Sequence, residues 1–387
     1  MGHLSLVQYF LALGVDPNIR DRVGFTALGH AAKEGHADIV ETLLAWGVQT
    51  EIPGEDSETA LSWAVRNNHE KVVDLLLKNG AHPSTSSHHG ECPLYWAVAR
   101  GSITMFKTLL AYGARPDIET NEGEPLLHLA IRQGHQQLIE MLIHLRIEVK
   151  KPDWAGWIPL SLAAACGRIK IMELLLANGA DMTTRDHDDQ TPLDVALERR
   201  QDEAAEFLLR LGADPSYATT NSPDRLFDAV KRGMVRVTRF LLENGVDPDP
   251  VDERGRTPLL LVASEGFGGF DERWCEIAEM LLETGRVDVN ARDALDQTPL
   301  MHATTEENVQ LVRLLVSHGA NVDDRDEYGN TALLIAACAT GDEAICKILV
   351  EAGADINCRD NDGESPLYRA GDSGRIYEFL RDMGAKL

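Results

Sequence analysis

The chain has 387 residues, 44% hydrophobic and 26% charged, a globular composition rather than that of a disordered chain. Its formal charge of −25 repels phosphate backbones and anionic lipid, which argues against nucleic acid and membrane surfaces as partners and leaves a basic partner favoured. No apolar stretch approaches the length of a membrane-spanning helix, and six cysteines without a CxxC pair read as reduced intracellular thiols, in cytoplasm or nucleus.

Taken in chain order, one pattern recurs: Thr-(Pro/Ala)-Leu, an Ala soon after, a Gly, then a Leu-Leu pair and another Gly. The opening MGHLSLVQYFLALG reads as folded helix rather than signal peptide, since it has neither a basic start nor a cleavage site. Clear copies begin at Thr26, Thr59, Thr191, Thr257, Thr298 and Thr331, and weaker ones at Cys92, Pro125, Ile158, Asp224 and Ser365. Anchors from 26 to 257 are 33 residues apart; the later intervals are 41, 33 and 34. Segments follow as 1–21 (a second helix alone), 22–51, 55–84, 88–117, 121–150, 154–183, 187–216, 220–249 (degenerate), 253–290 (with an insertion), 294–323, 327–357 and 361–387 (a charged C-terminal cap). Within one unit, Thr26 can cap a helix that places Leu28 and Ala31 on one stripe, and Gly35 lets the chain reverse. A second helix then carries Ile39, Val40, Leu43 and Leu44 to Gly47. No unit holds a core of its own, so each must bury its faces against its neighbours.

This period and motif resemble the ankyrin repeat over essentially the whole chain, most fully in EYGNTALLIAACATGDEAICKILVEAGADIN from Glu327 to Asn357. The tract from Glu58, ETALSWAVRNNHEKVVDLLLKNGA, looks most like the arrays abundant in filamentous fungi. The resemblance implies an all-α solenoid of about eleven helix–turn–helix units and a half, joined by hairpin-like loops. It also implies a non-catalytic protein–protein interaction scaffold, expected as a monomer, with partners taken in a concave groove and at the loop tips.

Three departures stand out. Gly2 to Val7 align with Gly35 to Val40, so the array opens without a first helix; a truncated or late-started chain is the expectation, and with it the alternative that these repeats are the recognition fragment of a larger enzyme or signalling protein. The unit from Thr257 carries FGGFDERW after Gly266, either a functional loop or aromatics tucked against the stack. Arg369, Arg375, Arg381 and Asp382 put charge on the last unit.

Catalytic motifs are absent: no GxSxG, P-loop, HExxH or GxGxxG after a strand. Cofactors and metals are therefore not expected. Cys338, Cys346 and Cys358 fall on different elements, and His88 with His89 sits on a loop tip. His128, the one His retained at its motif position, suits a hydrogen bond between neighbouring units. Asp323, Asp324 and Asp326 lack the pattern of a calcium loop, and the resemblance gives an Asp there a turn-organising role. Counting seven or eight residues past each anchor gives Lys33, Arg66, Arg100, Arg132, Arg199, Lys231 and Arg232, positions that in the resembling family line the groove. This basic ridge breaks at Ala165 and Cys166 and gives way later to Glu265, Glu306 and Asp372. The same cations also complement helix C-termini. Trp63 and Trp96 occupy one position in adjacent units, either binding hot spots or ordinary packing. Trp154 and Trp157 flank Gly156 on a loop tip and are expected as an exposed contact pair.

Overall fold

The computed structural model describes residues 3–54, 57–213, 225–265, 272–338, 342–371 and 374–387. They form two compact units, Met1–Asp214 and Pro215–Leu387, each built from helix pairs. Among the described residues there is no strand, only an isolated bridge between Glu119 and Pro125.

In the first unit α1 (Leu4–Ala12) stands without a partner helix before it. Pairs follow: α2 (Ala27–Lys33) with α3 (Ala37–Ala45), α4 (Ala60–Arg66) with α5 (Glu70–Lys78), and α6 (Pro93–Arg100) with α7 (Ile103–Ala111). Next come α8 (Leu126–Gln133) with α9 (Gln136–His144), α10 (Pro159–Ala165) with α11 (Ile169–Ala177), and α12 (Pro192–Glu198) with α13 (Asp202–Arg210). First helices pack on first helices from α2 through α12, forming one row; α1, α3 and α5 start a second row, and α9, α11 and α13 continue it.

The second unit repeats the plan. It runs α14 (Arg225–Lys231), α15 (Val235–Glu243), α16 (Pro258–Glu265), α17 (Glu272–Glu283), α18 (Pro299–Thr305) and α19 (Val309–Ser317). It ends with α20 (Ala332–Ala336), α21 (Glu343–Glu351), α22 (Pro366–Arg369) and α23 (Arg375–Asp382). The Asp224 anchor, the Phe267 to Phe270 insertion, the Glu265 side chain and Asp372 lie outside the described residues. Trp274, just beyond that insertion, has its ring close to Gly233 of the preceding pair, so this aromatic does tuck against the stack.

The anchors work as helix caps. Thr26, Thr59, Thr191, Thr257, Thr298, Thr331 and Ser365 each accept an N–H three residues on, satisfying a donor the helix cannot. At Cys92 the thiol does this at 3.4 Å, and burial pushes that thiol up to about 11. Behind the caps, Leu28, Leu61, Leu94, Leu127 and Leu160 of the first row are buried together with Val40, Val73, Phe106, Ile139 and Met172 of the second. Within the first unit, neighbouring helix pairs thus share one continuous core.

Between pairs the chain turns around a side chain five residues before the anchor. Oδ1 of Asp21, Asp153, Asp186, Asp252, Asp293, Asp326 and Asp360 accepts the N–H two and four residues later. Asp326 therefore holds a turn, as the resemblance implies. After several pairs a further rung joins neighbours: Gln49 N–H donates to Asn18 Oδ1 at 2.9 Å, Asn321 N–H to Asn290 Oδ1 at 2.8 Å, and Asp355 N–H to Asp323 Oδ1 at 2.8 Å.

Candidate functional site

The most developed cluster lies on the first-helix row of the first unit. The residue just before an anchor is positioned by the side chain that holds the turn, Asp21, Ser87, Thr120, Asp153 or Asp186, with the Gly54 backbone in that place before Thr59. The residue seven or eight beyond the anchor sits where the first helix ends. Stacking neighbouring units brings those columns together.

Phe25, held by Asp21, stacks on His30 at 4.8 Å and tilts against Trp63 at 5.6 Å. The Lys33 ammonium sits 4.9 Å from the Phe25 ring and 4.2 Å from the Trp63 ring. The Arg66 guanidinium lies 5.0 Å from Trp63 and 4.2 Å from Trp96. Trp96 meets Tyr95 edge-on at 5.2 Å. Phe25, Lys33, Trp63, Arg66 and Trp96 thus form one alternating ladder of rings and cations across three units, each contact at cation–π or aromatic-pair distance. Buried Glu58 accepts from Arg66 at 3.5 Å. The indole nitrogens of Trp63 and Trp96 are buried without a hydrogen-bond partner. Phe25 and Glu58 were missed by the sequence reading; both stand one residue before an anchor, a column that also contains Trp157.

The basic ridge is not uniform. Arg132 is clamped by Glu124 and by the buried Asp153, both at 3.0 Å, so its charge is spent inside the protein. Burial, and then Asp153, raise the Glu124 carboxyl although Arg132 opposes them. Arg100 is exposed and makes no ion pair among the described residues. Arg199 lies 5.7 Å from the Trp157 ring. Lys231 and Arg232 belong to the second unit, Lys231 exposed and Arg232 half-buried.

Trp154 and Trp157 do not form an exposed pair. Trp154 is 65% exposed, with its Cβ against Gly123 of the preceding tip. Trp157 is half-buried: its backbone N–H donates to Asp153 Oδ1 at 2.9 Å and its carbonyl lies 2.8 Å from His128 Nε2. Only Trp154 is a tip residue; the turn aspartate swings Trp157 onto the first-helix row. His128 makes the inter-unit bond its position suggests, and burial lowers its pKa.

Cys92, Cys346 and Cys358 are buried, Cys275 is half-buried, and Cys166 and Cys338 are exposed, all as free thiols. Burial pushes Cys346 up to about 12. Among the described residues no group of three His, Cys, Asp or Glu side chains is placed to hold a metal ion, and no helix is long and apolar enough to cross a membrane.

Paired helices stacked in two rows, with caps on a fixed period and an aromatic and charged first-helix row, define an α-helical repeat array. The family described as "Ankyrin repeats (3 copies)" matches residues 1–87, 84–153, 147–219, 226–326, 272–360 and 325–387, and the chain belongs to the ankyrin repeat family. It is 34% identical over 135 residues to an ankyrin repeat protein of Fowlpox virus, covering 34% of this chain and 36% of that protein. It is 32% identical over 102 residues to the E3 ubiquitin-protein ligase KEG of Arabidopsis thaliana, 26% of this chain and 6% of the ligase. It is 31% identical over 113 residues to the B-cell lymphoma 3 protein homolog of Mus musculus, 29% of this chain and 25% of that protein. The chain thus spans about a third or less of each of these relatives. Ankyrin repeats mediate protein–protein interaction and are, as modules, generally non-catalytic.

Proposed function

We propose that this chain is a protein-recognition scaffold or adaptor, acting inside the cell, whose first unit holds a protein partner along the groove side of its first helices. The ring–cation ladder from Phe25 to Trp96 is the observation that carries this reading. Trp and Arg are the residues that most often dominate binding energy, and here they are held in fixed orientation before any partner arrives. The exposed Trp154 adds a contact at a loop tip. Affinity purification with mass spectrometry tests it: Arg66→Glu with Arg100→Glu should strip partners that wild type recovers, whereas Lys107→Glu, on the second-helix row, should not. An identical partner set from all three proteins would refute the reading.

The relatives favour a second reading. In the Arabidopsis ligase the matching stretch is only 6% of the protein. By analogy, these repeats would recruit substrates for a larger enzyme or signalling protein. Long-read sequencing of the transcript tests this; a transcript encoding nothing beyond this chain removes it.

A further inference from the structure

Lys33, Arg66 and Arg100 follow one another at the ends of α2, α4 and α6, which pack side by side. Packed helices stand about 8–10 Å apart, which sets the step from Lys33 to Arg66, both seven residues past their anchors; Arg100, eight past Cys92, follows on the next helix one position further round. An extended peptide advances about 3.1–3.4 Å per residue, and three of its residues match one repeat. Lys33 and Arg100 make no ion pair among the described residues, and Glu58 takes one of the five N–H donors of Arg66. The fourth cation in the column, Arg132, is already bound to Glu124 and Asp153. Glu91, Glu122 and Glu124 surround Tyr95 beside it: after burial, their charges are what raise its phenol. The usable cations therefore end at Arg100, where Glu91 of the same helix pair and Glu122 and Glu124 of the next make an acidic stretch.

We propose that the partner segment taken by this ladder is an extended acidic peptide with a carboxylate at every third residue, its carboxylates meeting Lys33, Arg66 and Arg100. This deepens, and rests on, the recognition role proposed above. The residues between the carboxylates lie over the half-buried Trp96, while the buried Trp63 backs Lys33 and Arg66 and Trp96 backs Arg66. Stacking fixes Lys33 and Arg66 without consuming their hydrogen-bond donors, so binding costs less side-chain ordering there than it would for free side chains, while Arg100 reaches the peptide from an exposed, unstacked position. The net charge of −25 opposes an acidic partner at long range, but beyond about 8–10 Å it is screened at physiological salt, and the three cations are the nearest charges. The acidic stretch at Tyr95 sets a direction limit: a fourth carboxylate in register is repelled there.

The test uses the full chain and fluorescein-labelled peptides of Glu-Ser-Pro triplets, a sequence that favours the extended polyproline conformation. Comparison peptides have the same composition with Glu at every second position, or with Glu clustered, and one has Lys in place of Glu. Anisotropy titrations should show the triplet peptide binding at least about tenfold more tightly than the rearranged ones, with affinity falling as salt rises. Arg100→Gln, at an exposed side chain outside the core, should weaken it about three- to tenfold with an unchanged circular dichroism spectrum. Equal binding of all Glu arrangements, preference for the Lys peptide, or no saturable binding overturns the proposal. If it is overturned while Arg66→Glu with Arg100→Glu still strips cellular partners, the recognition role stands and only the acidic period is wrong.

Discussion

Replacing Gly35 by Ala perturbs the joint between two units in a way the structure lets one work out. Gly35 has φ of +75°, the left-handed region that costs a residue with a Cβ roughly 1–2 kcal/mol. A Cβ there would stand 2.5 Å from Nδ1 and 2.6 Å from Cε1 of His69, in the next unit. That ring has to leave, and its Nε2 then loses the Lys33 carbonyl, 3.0 Å away at the end of α2. One such hydrogen bond contributes about 1 kcal/mol. The expected total is about 2–3 kcal/mol. Gly47 is the control: its φ is also +75°, but nothing lies within 4 Å of its added Cβ, so Gly47→Ala should cost only the backbone part. In a His69→Ala background, Gly35→Ala should likewise fall back to about 1–2 kcal/mol. The assay is urea unfolding of wild type and the four variants, paired with hydrogen exchange of the α2 and α4 amides, because a repeat array need not unfold as one piece. If the Gly35 and His69 effects simply add, within about 0.3–0.5 kcal/mol, the steric argument is refuted.

Three further outcomes follow from the structure. Leu76 is fully buried, and Leu76→Ala should cost roughly 2–5 kcal/mol by urea unfolding; an unchanged midpoint would contradict its place in the shared core. Burial by itself would raise the Asp293 carboxyl, but the Gln297 N–H, the His302 ring at 2.8 Å and the Leu295 N–H together hold it below the usual carboxylate range. A lowered folded pKa contributes stability that is complete above about pH 4 and lost as pH falls through the lowered value, so Asp293→Asn should flatten the acid limb of a stability–pH curve. With iodoacetamide at pH 8, mass spectrometry should find Cys166 and Cys338 modified first and Cys92 and Cys346 spared, since the latter two are buried with thiols near 11 and 12; early labelling of Cys92 would count against its capping position.

Much of this architecture was legible because each unit states it again. A threonine at a fixed interval before a Leu and Ala stripe names a capped helix, and the caps at Thr26, Thr59 and Thr298 are where that reasoning puts them. The inter-unit bond of His128 follows in the same way. The candidate site was half legible. Position within the unit brings Lys33, Arg66, Trp63 and Trp96 together, but charge alone suggested a free basic ridge, while the carboxylates that neutralise Arg132 come partly from the next unit, 21 residues on at Asp153. Trp157 reads as a tip residue only until the Asp153 turn is built. Once it is, the column before the anchors turns toward the first-helix row, carrying Phe25 through Asp21 and Trp157 through Asp153, with Glu58 following from the Gly54 turn. Such placements depend on two units stacked together and are invisible in either one.

The rungs that join neighbouring turns, from Asn18 with Gln49 to Asp323 with Asp355, give the chain a particular response to tension. Each rung fastens a unit only to the next, so under pulling the load falls on one joint after another rather than on a single shared clamp. Within either unit, stretching would peel helix pairs off in sequence, and relaxing would let each re-dock on a neighbour still in place. A unit fastened this way can yield to force locally and still keep the remaining first helices in register.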